Sequence, residues 1–264
     1  PVVVQAVLTG LLVGFVITEP WAAAASATDR FWPSVPWAVP PTILLVWLWW
    51  QYVNGRGWPE STAALRRMNL RANPVPEDAW PVALMAGVLG IATSLLIRGI
   101  TNRLVAVPPE ILPGLSQIPL TTLLPMHVAG STLAGIVEEA AFRGYMQRPI
   151  ERRHGPVLAI LISGTLFGIA HFSHLGTVVM MPFYIAVGAT YGTMAYLTDS
   201  IVPGMVLHSA GNVLDGFPLL LHQSAPPSAT TSQVWETGGA SIWFLFVGLA
   251  VSAAATVWAL AALA

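Results

Sequence analysis

Eight runs of apolar sequence leave this chain of 264 residues little means of folding in water. A helix rises about 1.5 Å per residue, so a run of roughly 20 apolar residues crosses a hydrocarbon core of about 30 Å. The runs lie at about 2–18, 41–53, 79–97, 119–148, 156–172, 177–197, 202–221 and 240–264. Charged residues make up 9% of the chain and hydrophobic ones 55%, where a soluble domain carries roughly one quarter charged residues. The predicted fold class is all-α: a polytopic integral membrane helix bundle of about eight transmembrane helices, forming a single membrane domain over 1–264.

The connections carry the orientation signal. All 11 cations are arginine. Seven of them (56, 66, 67, 71, 148, 152, 153) fall after the second and fourth runs, three (30, 98, 103) after the first and third, and none later. Arginine-rich connections face the cytoplasm, which puts both termini there. The segment Asn54 to Asp78 holds four of these arginines and reads as a surface helix lying on the membrane. Trp47, Trp49 and Trp50 resemble an interfacial belt. Prolines at 108, 109 and 113 break any helix between the third and fourth runs, and 223–239, rich in Ser, Thr and Pro, reads as an outer loop. The chain opens on Pro1 rather than methionine, the mark of a trimmed start. Arginine and alanine without lysine point to a GC-rich bacterial source, hence to the bacterial inner (plasma) membrane.

A formal charge of -1 offers no basic stripe, so nucleic acid is set aside as a partner. Without cysteine there is no disulfide, thiolate metal site or cysteine nucleophile. Chemistry is left to Glu, Asp, His, Ser and Arg.

One run breaks the apolar pattern from inside. In STLAGIVEEAAFRGYMQR, residues 131–148, Glu138 and Glu139 follow 27 residues free of Asp, Glu, Lys and Arg. An ionised group at membrane depth costs at least a few kcal/mol unless it is paired or serves a cavity. Glu139 and Arg143 stand four apart on one helix face and read as a structural ion pair. Glu138 is rotated about 100° away, without such a partner, and is free for chemistry. Gly130, Ser131, Ala134 and Gly135 just before it allow another helix to approach closely. In the fifth run Phe167 and His171 stand four apart, and in the seventh His208 and Asn212 do, with Asp215 three residues on.

These residue types suit peptide hydrolysis, which needs a base for water, donors for the oxyanion and a proton source for the leaving amine. Glu138 is the expected general base, His171 its partner in holding water and moving a proton, and His208 with the Asn212 amide the oxyanion site. Arg143 and Glu139 hold the helix, and Phe167 packs to fix the His171 helix. His127, His154, His174 and His222 read as interfacial or loop residues, and Asp215 as a neighbour of His208. At 1.5 Å per residue Glu138 lies about 15 Å above Arg148, and His208 and Asn212 about 8 and 14 Å above Pro203. These agree on the cytoplasmic half. His171, about 22 Å above Pro156, does not, unless the fifth run tilts or starts lower.

The order EExxxR, FxxxH, HxxxN, carried here by Glu138 to Arg143, Phe167 to His171 and His208 to Asn212, resembles the CPBP family of intramembrane proteases, also called the Abi family, which includes CAAX proteases and bacteriocin-processing enzymes. The resemblance covers about 120–215, the expected catalytic core. It implies an eight-helix membrane protease with a water-accessible cavity, in which the first glutamate and the second-motif histidine activate water and the third motif stabilises the oxyanion. A membrane-associated or lipid-modified protein or peptide is the implied substrate and the lipid bilayer the surroundings; the oligomeric state is not legible. The chain lacks HExxH, GxGD and GxSG, the patterns of other membrane proteases. The expected mechanism uses no cofactor. The alternative is a zinc-dependent metalloprotease with Glu138, His171 and His208 as ligands, the ligand types of a catalytic zinc site. A non-proteolytic membrane scaffold or immunity protein is the reading from another class, and a transporter with Glu138 as proton carrier a third.

Overall fold

The computed structural model describes residues 1–105, 118–171, 177–222 and 240–264. Each of the eight apolar runs forms a helix. We number the helices α1 (Val2–Phe31), α2 (Val39–Val53), α3 (Ala63–Leu70), α4 (Ala79–Leu104), α5 (Leu120–Glu138), α6 (Gln147–His154), α7 (Pro156–Ala170), α8 (Thr177–Thr198), α9 (Val202–His222) and α10 (Ala240–Ala261). Among the described residues the only β-pairing is an isolated bridge between Ala72 and Ser200. The protein is an all-α membrane helix bundle. Among the described residues five helices are long and apolar enough to cross a bilayer, counting Leu120–His154 as one. The proline stretch at 107–114, His174 and 223–239 lie outside the described residues.

The central element is that long helix. Between α5 and α6 it widens into a π-helical segment, Glu139–Met146, all eight residues of which are buried. Pro149, in the first turn of α6, has no N–H to return to the preceding turn, so the looser register falls where the ladder is already interrupted. Val137, Ala140 and Tyr145 belong to one hydrophobic cluster, with Ile17, Trp49 and Leu70. Ala141, Phe142, Met146 and Ile150 belong to another, with Ala6 and Phe167. Around this axis α9 packs on α5, α1 on the π segment, α7 on α8, α8 on α4, and α10 on α4.

Three expectations from the sequence are corrected. The α1 helix does not end near Thr18 but runs through Glu19 to Phe31. Trp49 is buried and donates its indole N–H to the Val13 carbonyl at 3.1 Å, whereas Trp47 is exposed. The third correction concerns 54–78, which reads as a surface helix yet docks on the bundle. Leu70 is fully buried, and the Cα of Gly144 sits so close to the Leu70 carbonyl that a Cβ there would lie 2.9 Å from its oxygen. Arg66 is buried too, its guanidinium over the Tyr52 ring at 4.2 Å and donating to the Gly57 and Pro59 carbonyls. Arginines that look solvated in the sequence are here the fasteners of the loop.

The largest fastener is Arg71, 1% exposed and in the left-handed region at φ 58°. It grips Glu151 of α6 through two bonds of 2.9 and 2.8 Å, and Asp199, between α8 and α9, at 3.0 Å. Arg148 reaches the same two acids at 2.9 and 3.1 Å. The connections after the second, fourth and sixth apolar runs therefore lie on one face, as alternating crossings require.

Candidate active site

The Arg71 clasp also repairs the depth argument. The fourth crossing continues past Arg148 to His154 before the chain turns at Gly155, whose φ of 86° suits glycine alone. Glu138 then lies about 24 Å along the helix from His154, and His171 about 22 Å from Pro156. The two levels agree without tilt. The fourth crossing reaches beyond the basic cluster at which the sequence places its end.

Two glycines set the approach of α9 to the glutamates. A Cβ on Gly135 would collide with the backbone of Ser209, and one on Gly204 would lie 2.8 Å from the Glu139 carboxylate. With no side chains between them, the helices close until His208 stands among the acids. Its Nδ1 is 2.9 Å from Glu139 Oε1, and its Nε2 is 3.5 Å from Glu138 Oε2. The first shared proton fixes the ring, since a carboxylate can only accept: Nδ1–H donates to Glu139. Arg143 lies 3.2 Å from that same Glu139 oxygen, confirming the predicted ion pair. Its guanidinium is otherwise walled by aromatic faces, 4.5 Å from the Phe167 centroid and 5.5 Å from that of Tyr191. Contact with ring faces offsets part of the cost of burying the cation.

The adjacent glutamates occupy different surroundings. Glu139 is fully buried, whereas the Glu138 side chain is 21% exposed and lines a cavity of about 200 Å³. That cavity runs between α1 and the central helix, walled by Gly10, Leu11, Gly14 and Phe15, with His171 at its far side. A second cavity, of about 350 Å³, lies between α4, α8 and α9 and is lined by His171, His208, Asn212 and Asp215. His171 borders both.

His171 follows the last turn of α7, where its Nδ1 meets the Phe167 carbonyl at 2.8 Å. The predicted packing role of Phe167 takes a definite form. Its ring stands edge-on to Phe142, His171 and His208, with centroids 5.4, 4.7 and 5.8 Å apart. It is the hinge pin between all three motifs. Asn212 lies one turn beyond His208 and shares the larger cavity with it.

Some residues stand elsewhere than expected. Asp215 does not approach His208 but forms a two-bond pair with Arg98 of α4, at 3.0 and 2.7 Å, on the rim of the larger cavity. His127 bridges α5 to the Val213 carbonyl of α9 at 2.9 Å. His154 is exposed at the end of α6, as read. Missed entirely was the link between Glu139 and His208, for which the sequence holds no signal, since 69 residues separate the two. Also missed were Tyr184 and Tyr191, which lie flat against the two histidines. Their spacing of seven places them on one face of α8 and was the available clue.

Residues 120–214 match the family model of the Rce1-like proteins, described as type II CAAX prenyl endopeptidases. The match covers less than half of the chain but takes in all three motifs from α5 to α9, and makes this stretch similar to the CAAX proteases. Helices α1 to α4 and α10 lie outside it, although α1 walls the smaller cavity. No curated protein and no solved structure matches the chain.

Proposed function

We propose that the chain is an intramembrane endopeptidase of the CAAX type that cleaves a membrane-associated or lipid-modified protein or peptide, with Glu138 as general base. Glu138 takes a proton from water, and the water oxygen adds to the scissile carbonyl carbon. Negative charge passes to the carbonyl oxygen, where the Asn212 amide and His208 Nε2 serve as donors; Nε2 can donate only when the ring carries both protons. Collapse expels the amine, which receives the proton taken by Glu138, with His171 as the neighbouring carrier. One peptide bond and one water become a carboxylate and an amine. Glu139 acts through His208, and Arg143 through Glu139.

The observation that carries this reading is His208 held between the two glutamates, which joins the first motif to the third at a cavity wall. The family description supports a tail bearing a lipid, and the apolar lining between α1 and the central helix suits such a chain. Among the described residues no three His, Asp or Glu groups converge closely enough to hold a metal ion, so the donor set of Glu138, His171 and His208 does not fit zinc. The arginine-rich face is assigned to the cytoplasm of a bacterial inner membrane, with both termini on that side.

Cleavage of a library of peptides and lipidated membrane segments by detergent-purified protein tests the proposal. Wild type cuts, and Glu138→Gln loses about 10²- to 10⁴-fold, the usual contribution of a positioned base, with or without a chelator. Loss under chelation with recovery on adding zinc would replace the mechanism with a metal-dependent one. Equal cleavage by Glu138→Gln would remove Glu138 as the base.

A further inference from the structure

Helix α8 holds none of the three motifs, yet it touches both histidines. Tyr184 lies over His171 with centroids 4.5 Å apart and planes at 25°, and Tyr191 lies over His208 at 5.3 Å and 28°. The tyrosines are two helical turns apart and face the same way, so a single helix presents a flat ring to each imidazole. Tight packing delivers it. Gly164 of α7 and Gly188 of α8 meet backbone to backbone, where a Cβ on Gly188 would lie 2.6 Å from the Gly164 Cα. A Cβ on Gly168 would lie 3.2 Å from that of Tyr184, so α7 and α8 approach closely just below His171.

Nδ1 of His171 meets the Phe167 carbonyl, and His208 stands between Glu139 at Nδ1 and Glu138 at Nε2. Contacts made at ring nitrogens lie in the plane of the ring and resist its tilt less than a contact on its face does. A stacked ring on the face, with Phe167 at the edge, restrains that tilt and fixes where Nε2 points. We propose that Tyr184 and Tyr191 are positioning residues that aim the Nε2 atoms of His171 and His208, and that they act through their rings. This rests on the reading that both histidines serve the reacting centre.

The test uses the full chain in detergent, with Tyr184→Phe, Tyr184→Leu, Tyr191→Phe and Tyr191→Leu, and two readouts. In the cleavage assay the leucine variants lose about 10- to 100-fold in kcat with KM within about twofold, the size expected when a catalytic group is misaimed. The phenylalanine variants stay within about threefold of wild type, because they keep the ring. In NMR of 13C-histidine-labelled protein, the Cε1–H resonances of His171 and His208 shift upfield under a stacked ring. Leucine at 184 releases the first and leucine at 191 the second, while phenylalanine holds both. A rise in KM with kcat unchanged would make the tyrosines substrate contacts and overturn the proposal. So would phenylalanine variants as impaired as leucine ones. Tyr191 is 3% exposed, so its leucine variant is checked by melting; Tyr184, only partly buried, serves if that variant unfolds. If neither wild type nor Glu138→Gln cleaves, the protease reading fails separately. The NMR readout then decides alone, and unmoved histidine resonances in the leucine variants overturn the proposal.

Discussion

Glu138 and Glu139 are neighbours in sequence and differ in almost every physical respect. Glu139 is sealed in the bundle with Arg143 and His208 as partners, so removing its charge leaves a guanidinium buried without a counter-ion. Breaking one side of such a pair typically costs about 3–5 kcal/mol. Glu139→Leu is therefore expected to lower the melting temperature in detergent markedly, and with it the activity. Glu138 faces a cavity and anchors no buried cation. Glu138→Gln should melt close to wild type while losing cleavage, and a large fall in its melting temperature would contradict this division of labour.

At the scale of the helix, the site exists because α9 can lie against the central helix with only glycine between them. Gly135 meets the Ser209 backbone, and Gly204 meets the Glu139 carboxylate. A larger side chain at Gly135 must push α9 outward. Overpacking of this kind typically costs about 1–3 kcal/mol. Gly135→Val is predicted to keep the helical content seen by circular dichroism while drawing His208 from Glu139, so that cleavage falls more than stability does. Unaltered activity in a folded Gly135→Val would show that the α5 to α9 distance is not what places His208.

For the whole molecule, the Arg71 clasp ties the loop after α2, the end of α6 and the turn before α9 into one layer. Its two-bond grip on Glu151 depends on the planar guanidinium fork, which lysine lacks. Arg71→Lys should already lower the melting temperature, and Arg71→Met more so, although neither touches the cavities. The same layer fixes topology. The chain has no cysteine, so single cysteines report exposure without background. In inverted and right-side-out vesicles, Arg56→Cys and Arg153→Cys should react with an impermeant maleimide from the cytoplasmic side, and Ser34→Cys from the other. The reverse pattern would invert the assignment.

Much of this was legible in the order of residues. The apolar runs specify eight helices, because backbone N–H and C=O groups have no other partner inside lipid. Spacings of four put Glu139 with Arg143 and Phe167 with His171, because helical neighbours follow from local geometry. What lies between helices was not written there. The 69 residues from Glu139 to His208, the 80 from Arg71 to Glu151 and the 117 from Arg98 to Asp215 are bridged by packing alone. An arginine reads the same in sequence whether it is solvated or sealed under a tyrosine, and a glycine the same whether idle or pressed against a carboxylate. Local periodicity determined the helices and named the polar residues. Tertiary contact decided which glutamate holds the histidine and which faces the cavity, because only the folded bundle sets depth and distance.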